Sequence, residues 1–207
     1  MSESPDDEYA LDADLRVEEC TRCPALVESR SRIVNGVGPT DADLVFVGEA
    51  PGANEDSEGE PFVGRSGTVL DDALRDAGLD RADVRITNCV RCRPPENRDP
   101  SAEELANCRG YLAAELARLD PDLVVTLGKV PSEHLLDRSV AVTKEAGEVF
   151  DARVGETAVR LLVCVHPAAT LYDRSQAETF ESTVARAAEL SGAGDGEGGG
   201  QSRLGDY

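Results

Sequence analysis

Glu49, Asn88 and His166 are the residues whose types and spacing point to chemistry, because each stands where a short apolar run breaks. Glu49 follows Leu44-Val45-Phe46-Val47-Gly48 and opens a long loop, Ala50-Pro51-Gly52 through Glu55-Asp56 to Pro61-Phe62-Val63-Gly64. Asn88 closes the run from Val84 to Thr87, and His166-Pro167 closes the run from Leu161 to Val165. Parallel strands end on one edge of a sheet. A carboxylate, an amide and an imidazole are therefore expected to converge there, beside a loop whose glycines let backbone approach a ligand closely. Singly, each has a plainer account: a solvated loop acid, a turn former and a structural histidine. The second histidine, His134, falls in a short polar-faced helix and reads as surface.

Six cysteines without an export signal argue against a disulfide framework. Cys20-Thr21-Arg22-Cys23 has the spacing that brings two thiolates to one metal. Cys92, in the loop after Asn88, and Cys108, in the helix that follows, can supply a second pair. Four thiolates suit an iron-sulfur cluster or a tetrahedral zinc. Cys108 also falls on an apolar helical stripe, where a buried free thiol is common. Cys89 and Cys164 lie in or beside apolar runs and read as core. A thioredoxin-like redox pair does not fit Cys20 and Cys23, since such motifs follow a strand and none precedes Cys20.

The elements that must position these groups alternate along the chain. Leu44 to Val47, Val84 to Thr87, Leu123 to Leu127 and Leu161 to Val165 read as buried strands, with Gly147 to Val154 as an extra strand or hairpin. A helix over 66–77 stacks Val69, Leu70, Ala73, Leu74 and Ala77 on one face and stops at Gly78. Ser101 and Glu104 form a capping box ahead of Leu105, Cys108, Leu112 and Leu116. Shorter and longer helices are expected over 130–136 and 177–190. The sum is an α/β domain of three layers, α/β/α, with a central, mainly parallel, four-stranded sheet.

With 21 basic and 41 acidic residues the net charge is −20, and Lys129 and Lys144 are the two lysines. Such a surface suits a cytoplasm with molar salt, where screening over ~3 Å cancels the repulsion between carboxylates. Net charge then does not exclude DNA, because phosphate attraction fades in high salt anyway. Residues 1–19 hold eight acids and one arginine, and residues 192–207 hold seven glycines. A loosely ordered segment 1–19, one domain over 20–190 and a disordered glycine-rich tail over 191–207 are expected. The longest apolar runs are only strand-length and the start of the chain is acidic, which implies a cytoplasmic protein without signal peptide or membrane span.

The motifs Gly48-Glu49-Ala50-Pro51-Gly52, Glu55-Asp56, Pro61-Phe62-Val63-Gly64, Thr87-Asn88, Cys92-Arg93-Pro94-Pro95 and His166-Pro167-Ala168, with the cysteine quartet, resemble the iron-sulfur (family 4) uracil-DNA glycosylases of archaea and thermophilic bacteria. The resemblance runs in order from about Cys20 to Leu190. It implies that Cys20, Cys23, Cys92 and Cys108 hold a 4Fe-4S cluster, with zinc as the alternative. It implies that Phe62 stacks on extruded uracil and that Asn88 reads its edge. Glu55 then crowds a thymine methyl, and His166 donates to uracil O2. Gly48, Ala50 and Gly52 would lie against the substrate, with Pro167, Ala168 and Leu171 on the DNA and Leu171 as the wedge that fills the gap. Glu49 would position water or stabilise the sugar cation. Related glycosylases with a Gly-Gln-Asp-Pro motif use an aspartate where this chain has Ala50.

By this resemblance the enzyme flips uracil out of single- or double-stranded DNA and hydrolyses its glycosidic bond in base excision repair. It would act as a monomer, with a replication clamp or other repair proteins as candidate partners. The proposed pocket holds no lysine, so a monofunctional enzyme leaving an abasic site is expected. The chief alternative is a catalytically inactive iron-sulfur relative that senses damage or recruits a partner, yet Glu49, Asn88 and His166 are all present. A nucleotide-binding metalloprotein is disfavoured, because Gly64-Arg65-Ser66-Gly67 lacks the Lys-Ser/Thr ending of a P-loop.

Overall fold

Strands buried on both faces need apolar side chains at nearly every position, and that is how the central runs of this chain are used. A computed structural model describes residues 9–193. In chain order the elements are α1 (Pro24–Ser29), β1 (Leu44–Gly48), α2 (Ala53–Glu58), α3 (Arg65–Asp76), β2 (Arg85–Asn88), α4 (Ala102–Leu119), β3 (Leu123–Leu127), α5 (Lys129–Leu136), α6 (Val142–Glu145), β4 (Val149–Val154), β5 (Thr157–Cys164), α7 (Pro167–Thr170) and α8 (Arg174–Ser191). The sheet has five strands in the order β2-β1-β3-β5-β4. β2, β1, β3 and β5 run parallel, and β4 pairs antiparallel with β5.

The four-stranded expectation is corrected by β4. As an edge strand it is mostly half-buried or exposed, so its residues never made a continuous apolar run. The other four strands alternate their side chains between two cores. Phe46, Ile86, Val125 and Leu162 face α3 and α8, where Leu70, Leu74, Phe180 and Val184 cover them. Val45, Val47, Val124 and Val163 face the other way, onto Leu112 and Leu116 of α4 and Leu135 of α5. These two cores make the three layers.

The chain leaves β1 toward β2 on one side and returns to β3 on the other, so the order reverses beside the carboxyl end of β1. Crevices at such reversals are where open α/β sheets bind ligands. α4 starts as its sequence implies: the Ser101 Oγ accepts from Glu104 N at 3.2 Å while Glu104 Oε2 accepts from Ser101 N at 2.7 Å.

Two expectations shift. The segment 1–19 is not loose throughout: Leu15 and Val17 are buried, Leu15 in the second core, because Asn35 exchanges hydrogen bonds with Val17 at 2.7 and 3.2 Å. His134 is half-buried rather than surface, and its Nε2 has no partner among the described residues. The tail expected to be disordered lies outside the described residues from residue 194 onward. Among the described residues, no helix is long and apolar enough to cross a membrane.

Candidate active site

Gly48 and Asn88 are paired in register at the ends of adjacent strands, and β5 ends two residues before His166. Glu49, Ala50, Gly52, Glu55, Phe62, Asn88 and His166 consequently line one cavity of about 380 Å³. Gly48 lies beneath it. A Cβ there would stand 2.5 Å from the Phe62 ring and closer still to Asn88 Oδ1, so the absent side chain is what lets ring and amide meet.

The Phe62 ring is placed by a backbone that most side chains avoid, with φ at 55°. Its surroundings over-determine that conformation. Arg81 donates to the carbonyls of Phe62, at 3.2 Å, and Pro61, and Asp71 holds the guanidinium at 2.8 Å. Gly67 of α3 packs so closely under the Phe62 carbonyl that a Cβ there would collide with it.

His166 caps α7 with its own ring: Nδ1 accepts from the Ala168 N–H at 3.1 Å, which puts the ring proton on Nε2. Burial lowers the imidazole to about 4, so it is neutral at physiological pH. The ring packs beside Phe62, centroids 5.8 Å apart and planes tilted by 35°. A neutral imidazole with one N–H is suited to meeting a developing anion.

Glu49 is the site's titratable acid near neutrality. Burial first, and then the carboxylate of Asp99 with which it shares a hydrogen bond, raises it to about 7. Glu55 is tied to its own helix, accepting from Gly52 N at 3.0 Å. The buried Asp56 accepts from Ser31 N at 2.8 and 2.9 Å and anchors the loop beneath.

Sequence reasoning missed Asn97 and Arg98, which also line the cavity. Arg93 Nε donates to Asn97 Oδ1 at 2.8 Å, and Arg98 forks onto the Glu104 carboxylate at 2.7 and 2.8 Å. The signal available was the density of prolines from Pro94 to Pro100, which marks a rigid loop just after a strand that ends in a site residue. Outside the cavity, Pro167 is buried, Ala168 half-buried and Leu171 39% exposed.

The cysteine quartet is brought together elsewhere. Cys20, Cys23, Cys92 and Cys108 line one small cavity with Leu26 and Val90. Arg30 Nη1 donates to Cys92 Sγ at 2.8 Å, and Asn107 Nδ2 reaches Cys23 Sγ at 3.5 Å. Burial pushes Cys23 and Cys92 up, and Cys108 to about 12. Among the described residues no group of three or more His, Cys, Asp or Glu side chains is arranged to hold a single metal ion. Cys89 and Cys164 are buried in the strand region as expected.

The profile of the family described as the uracil DNA glycosylase superfamily matches residues 35–190, which contain every residue of the cavity. The chain belongs to that superfamily. This member is 38% identical over 180 residues to the Type-4 uracil-DNA glycosylase of Archaeoglobus fulgidus, an alignment covering 85% of this chain and 90% of the relative. It is 42% identical over 161 residues to the Type-4 uracil-DNA glycosylase of Thermotoga maritima, covering 77% and 82%. It is 32% identical over 211 residues to the Type-5 uracil-DNA glycosylase of Pyrobaculum aerophilum, covering 86% and 91%.

Proposed function

We propose that this protein is a monofunctional uracil-DNA glycosylase, an enzyme of base excision repair that releases free uracil and leaves an abasic site. The observation that carries it is the convergence of the Phe62 ring, the Asn88 amide and a neutral His166 on one cavity over a glycine floor. An aromatic face, an amide edge and a single N–H donor match a planar pyrimidine with a polar edge and a carbonyl that gains charge.

A base inside a duplex is unreachable, so it is turned out of the stack at a cost of a few kcal/mol. Phe62 receives the ring by stacking. Asn88 accepts from uracil N3–H and donates to O4; cytosine presents the opposite pattern and leaves a buried amide mismatched. As the glycosidic bond breaks, charge builds on uracil O2, and the Nε2–H of His166 donates to it. Glu49, once ionised, stabilises the cationic sugar or orients the attacking water. Glu55 guards the C5 side against thymine. Gly48, Ala50 and Gly52 let backbone approach the substrate, and Pro167, Ala168 and Leu171 meet the DNA, with Leu171 filling the gap.

A 4Fe-4S cluster is the cofactor we assign to the cysteine cavity, on the chemistry of its four thiols. Cys20, Cys23, Cys92 and Cys108 would hold it, and the N–H groups of Arg30 and Asn107 that already point at two of the sulfurs are the kind of donors that stabilise thiolates. A tetrahedral zinc, with Zn–S of about 2.3 Å, would require the four sulfurs to close in around one ion. Held by these four residues, the cluster would cross-link the segment before α1 to the loop after β2 and to α4. The acidic surface we assign to a halophilic setting and a cytoplasmic enzyme acting as a monomer, its domain running from the segment before Cys20 to the end of α8.

The test is incubation with single-stranded and duplex DNA carrying one uracil, in buffers from dilute to molar potassium chloride, followed by alkaline cleavage of abasic sites. Strand scission at the uracil is expected, and intact strands at every salt concentration would sink the enzyme reading. An anaerobic preparation should contain iron and acid-labile sulfide; zinc alone would overturn the cluster.

A further inference from the structure

Leu171 and Tyr172 are neighbours at the end of the α7 turn, 39% and 81% exposed, and Tyr172 is the most exposed large hydrophobic side chain among the described residues. An exposed apolar pair of this kind marks a contact surface when it stands beside a site. The backbone that carries it is fixed. Tyr172 N donates to Ala169 O at 3.2 Å, and Asp173 then caps α8, accepting from Ser175 N at 2.9 Å and Ser175 Oγ at 2.7 Å.

Tyr172 and Leu171 line a second cavity of about 270 Å³, whose lining also includes Asn54, Arg65 and Ser66. Glu55 and Ser66 line both this cavity and the base pocket, so the two are neighbours that share those residues. One wall is an aromatic platform. The rest of its lining offers a guanidinium, a hydroxyl and an amide, the groups that meet a sugar-phosphate, beside the Glu55 carboxylate. A net charge of −20 makes phosphate contacts a weak source of affinity for this protein. Stacking on an aromatic ring is indifferent to that charge.

We propose that this cavity is the subsite for the nucleotide adjacent to the uracil, with its base stacked on Tyr172 and its phosphate facing Arg65. The subsite rests on the reading of the neighbouring pocket as a uracil site. Its role is to hold one flanking nucleotide in register while the uracil turns inward.

The test compares uracil oligonucleotides with all bases present against strands in which the nucleotide on the 5′ or the 3′ side of the uracil is a tetrahydrofuran spacer. Excision is followed as kcat and KM, and binding by anisotropy with 2′-fluoro-deoxyuridine strands that resist cleavage. Tyr172→Ala should weaken binding and raise KM by about 5- to 150-fold on the complete strand. Wild-type protein should lose the same factor when the spacer occupies one of the two sides, and combining variant and spacer should cost nothing further. Tyr172→Phe should restore the complete-strand values, and the factor should persist in molar potassium chloride because stacking releases no counterions. Tyr172→Ala binding like wild type, or losing equally on complete and spacer strands, would overturn the subsite; the second result would mark a residue that supports the α7 turn or contacts another protein. The two readings fail separately. Binding that depends on Tyr172 and the flanking base without uracil release removes the enzyme alone, whereas excision indifferent to the flanking base removes the subsite alone.

Discussion

Glu49→Gln asks whether the anion, rather than the side chain's shape, does the work at the sugar. The wild-type carboxyl is raised from 4.5 to about 7, first by burial and then by Asp99. An ordinary glutamate is almost fully ionised at about pH 6, but this one is then about one-tenth ionised. His166 is held at about 4, so it stays neutral across the same range and adds no second bend. The sign follows: the acid is neutral below about 7 and charged above it, so kcat/KM should climb close to tenfold per pH unit and level off above about pH 7. Glu49→Gln should give a flat profile lying ~10²- to 10³-fold below the wild-type plateau. Asp99→Asn removes the second cause and leaves the first, so the bend should move to lower pH without disappearing. The assay is single-turnover release of uracil from an oligonucleotide at subsaturating enzyme between about pH 5 and 9. A flat wild-type profile, a rate that falls as pH rises through 7, or a Glu49→Gln enzyme that keeps the bend would refute the reasoning.

Three other substitutions probe different parts of the molecule. Gly48→Ala puts a methyl group 2.5 Å from the Phe62 ring and nearer to Asn88 Oδ1, so it should cost ~1–3 kcal/mol in urea unfolding and lower excision at least about tenfold; full activity would show that ring and amide can yield. His166→Ala should lower kcat by ~10²- to 10³-fold while thermal unfolding stays cooperative, and an unchanged kcat would remove the imidazole from the chemistry. Glu115 is fully buried and accepts from Arg85 Nε at 2.9 Å, Arg91 Nη2 at 2.7 Å and Thr87 Oγ1 at 3.0 Å. Glu115→Gln leaves two buried guanidiniums short of a counter-charge and should lower the unfolding free energy by ~3–5 kcal/mol, with excision retained well below the melting temperature; a loss under about 1 kcal/mol would mean the charges find water.

The parallel strands were legible in the sequence because burial on both faces writes a continuous apolar run, and the pocket followed from asking where those runs end. β4 was only half legible because an edge strand with Asp151 and Arg153 facing outward carries little hydrophobic pattern. Glu115 reads along the chain as a solvent-facing acid in mid-helix. Its two guanidinium partners come from the β2 region, 30 and 24 residues away, and no local pattern announces them. Asn97 and Arg98 escaped for a related reason: their place on the cavity wall depends on how a proline-rich turn folds back over β1, which composition does not encode. The influence of Asp99 on Glu49 is likewise a tertiary fact between carboxylates fifty residues apart.

The segment ahead of Cys20 has a consequence for how the molecule is held together. Tyr9 meets Tyr111 edge-on with centroids 5.1 Å apart, Arg118 gathers the carbonyls of Leu11, Asp12 and Ala13, and Arg91 reaches the carbonyl of Leu15 at 3.3 Å. What composition alone presents as an acidic leader is a mooring line, stretched from the flank of α4 to the first thiols of the quartet. Trimming the chain back to the Cys-x-x-Cys pair would take Leu15 out of the core and remove carbonyl acceptors from Arg85, Arg91 and Arg118 at once. Asp14, Glu18 and Glu19 along this line are its solvent coating, and the line itself belongs to the hull.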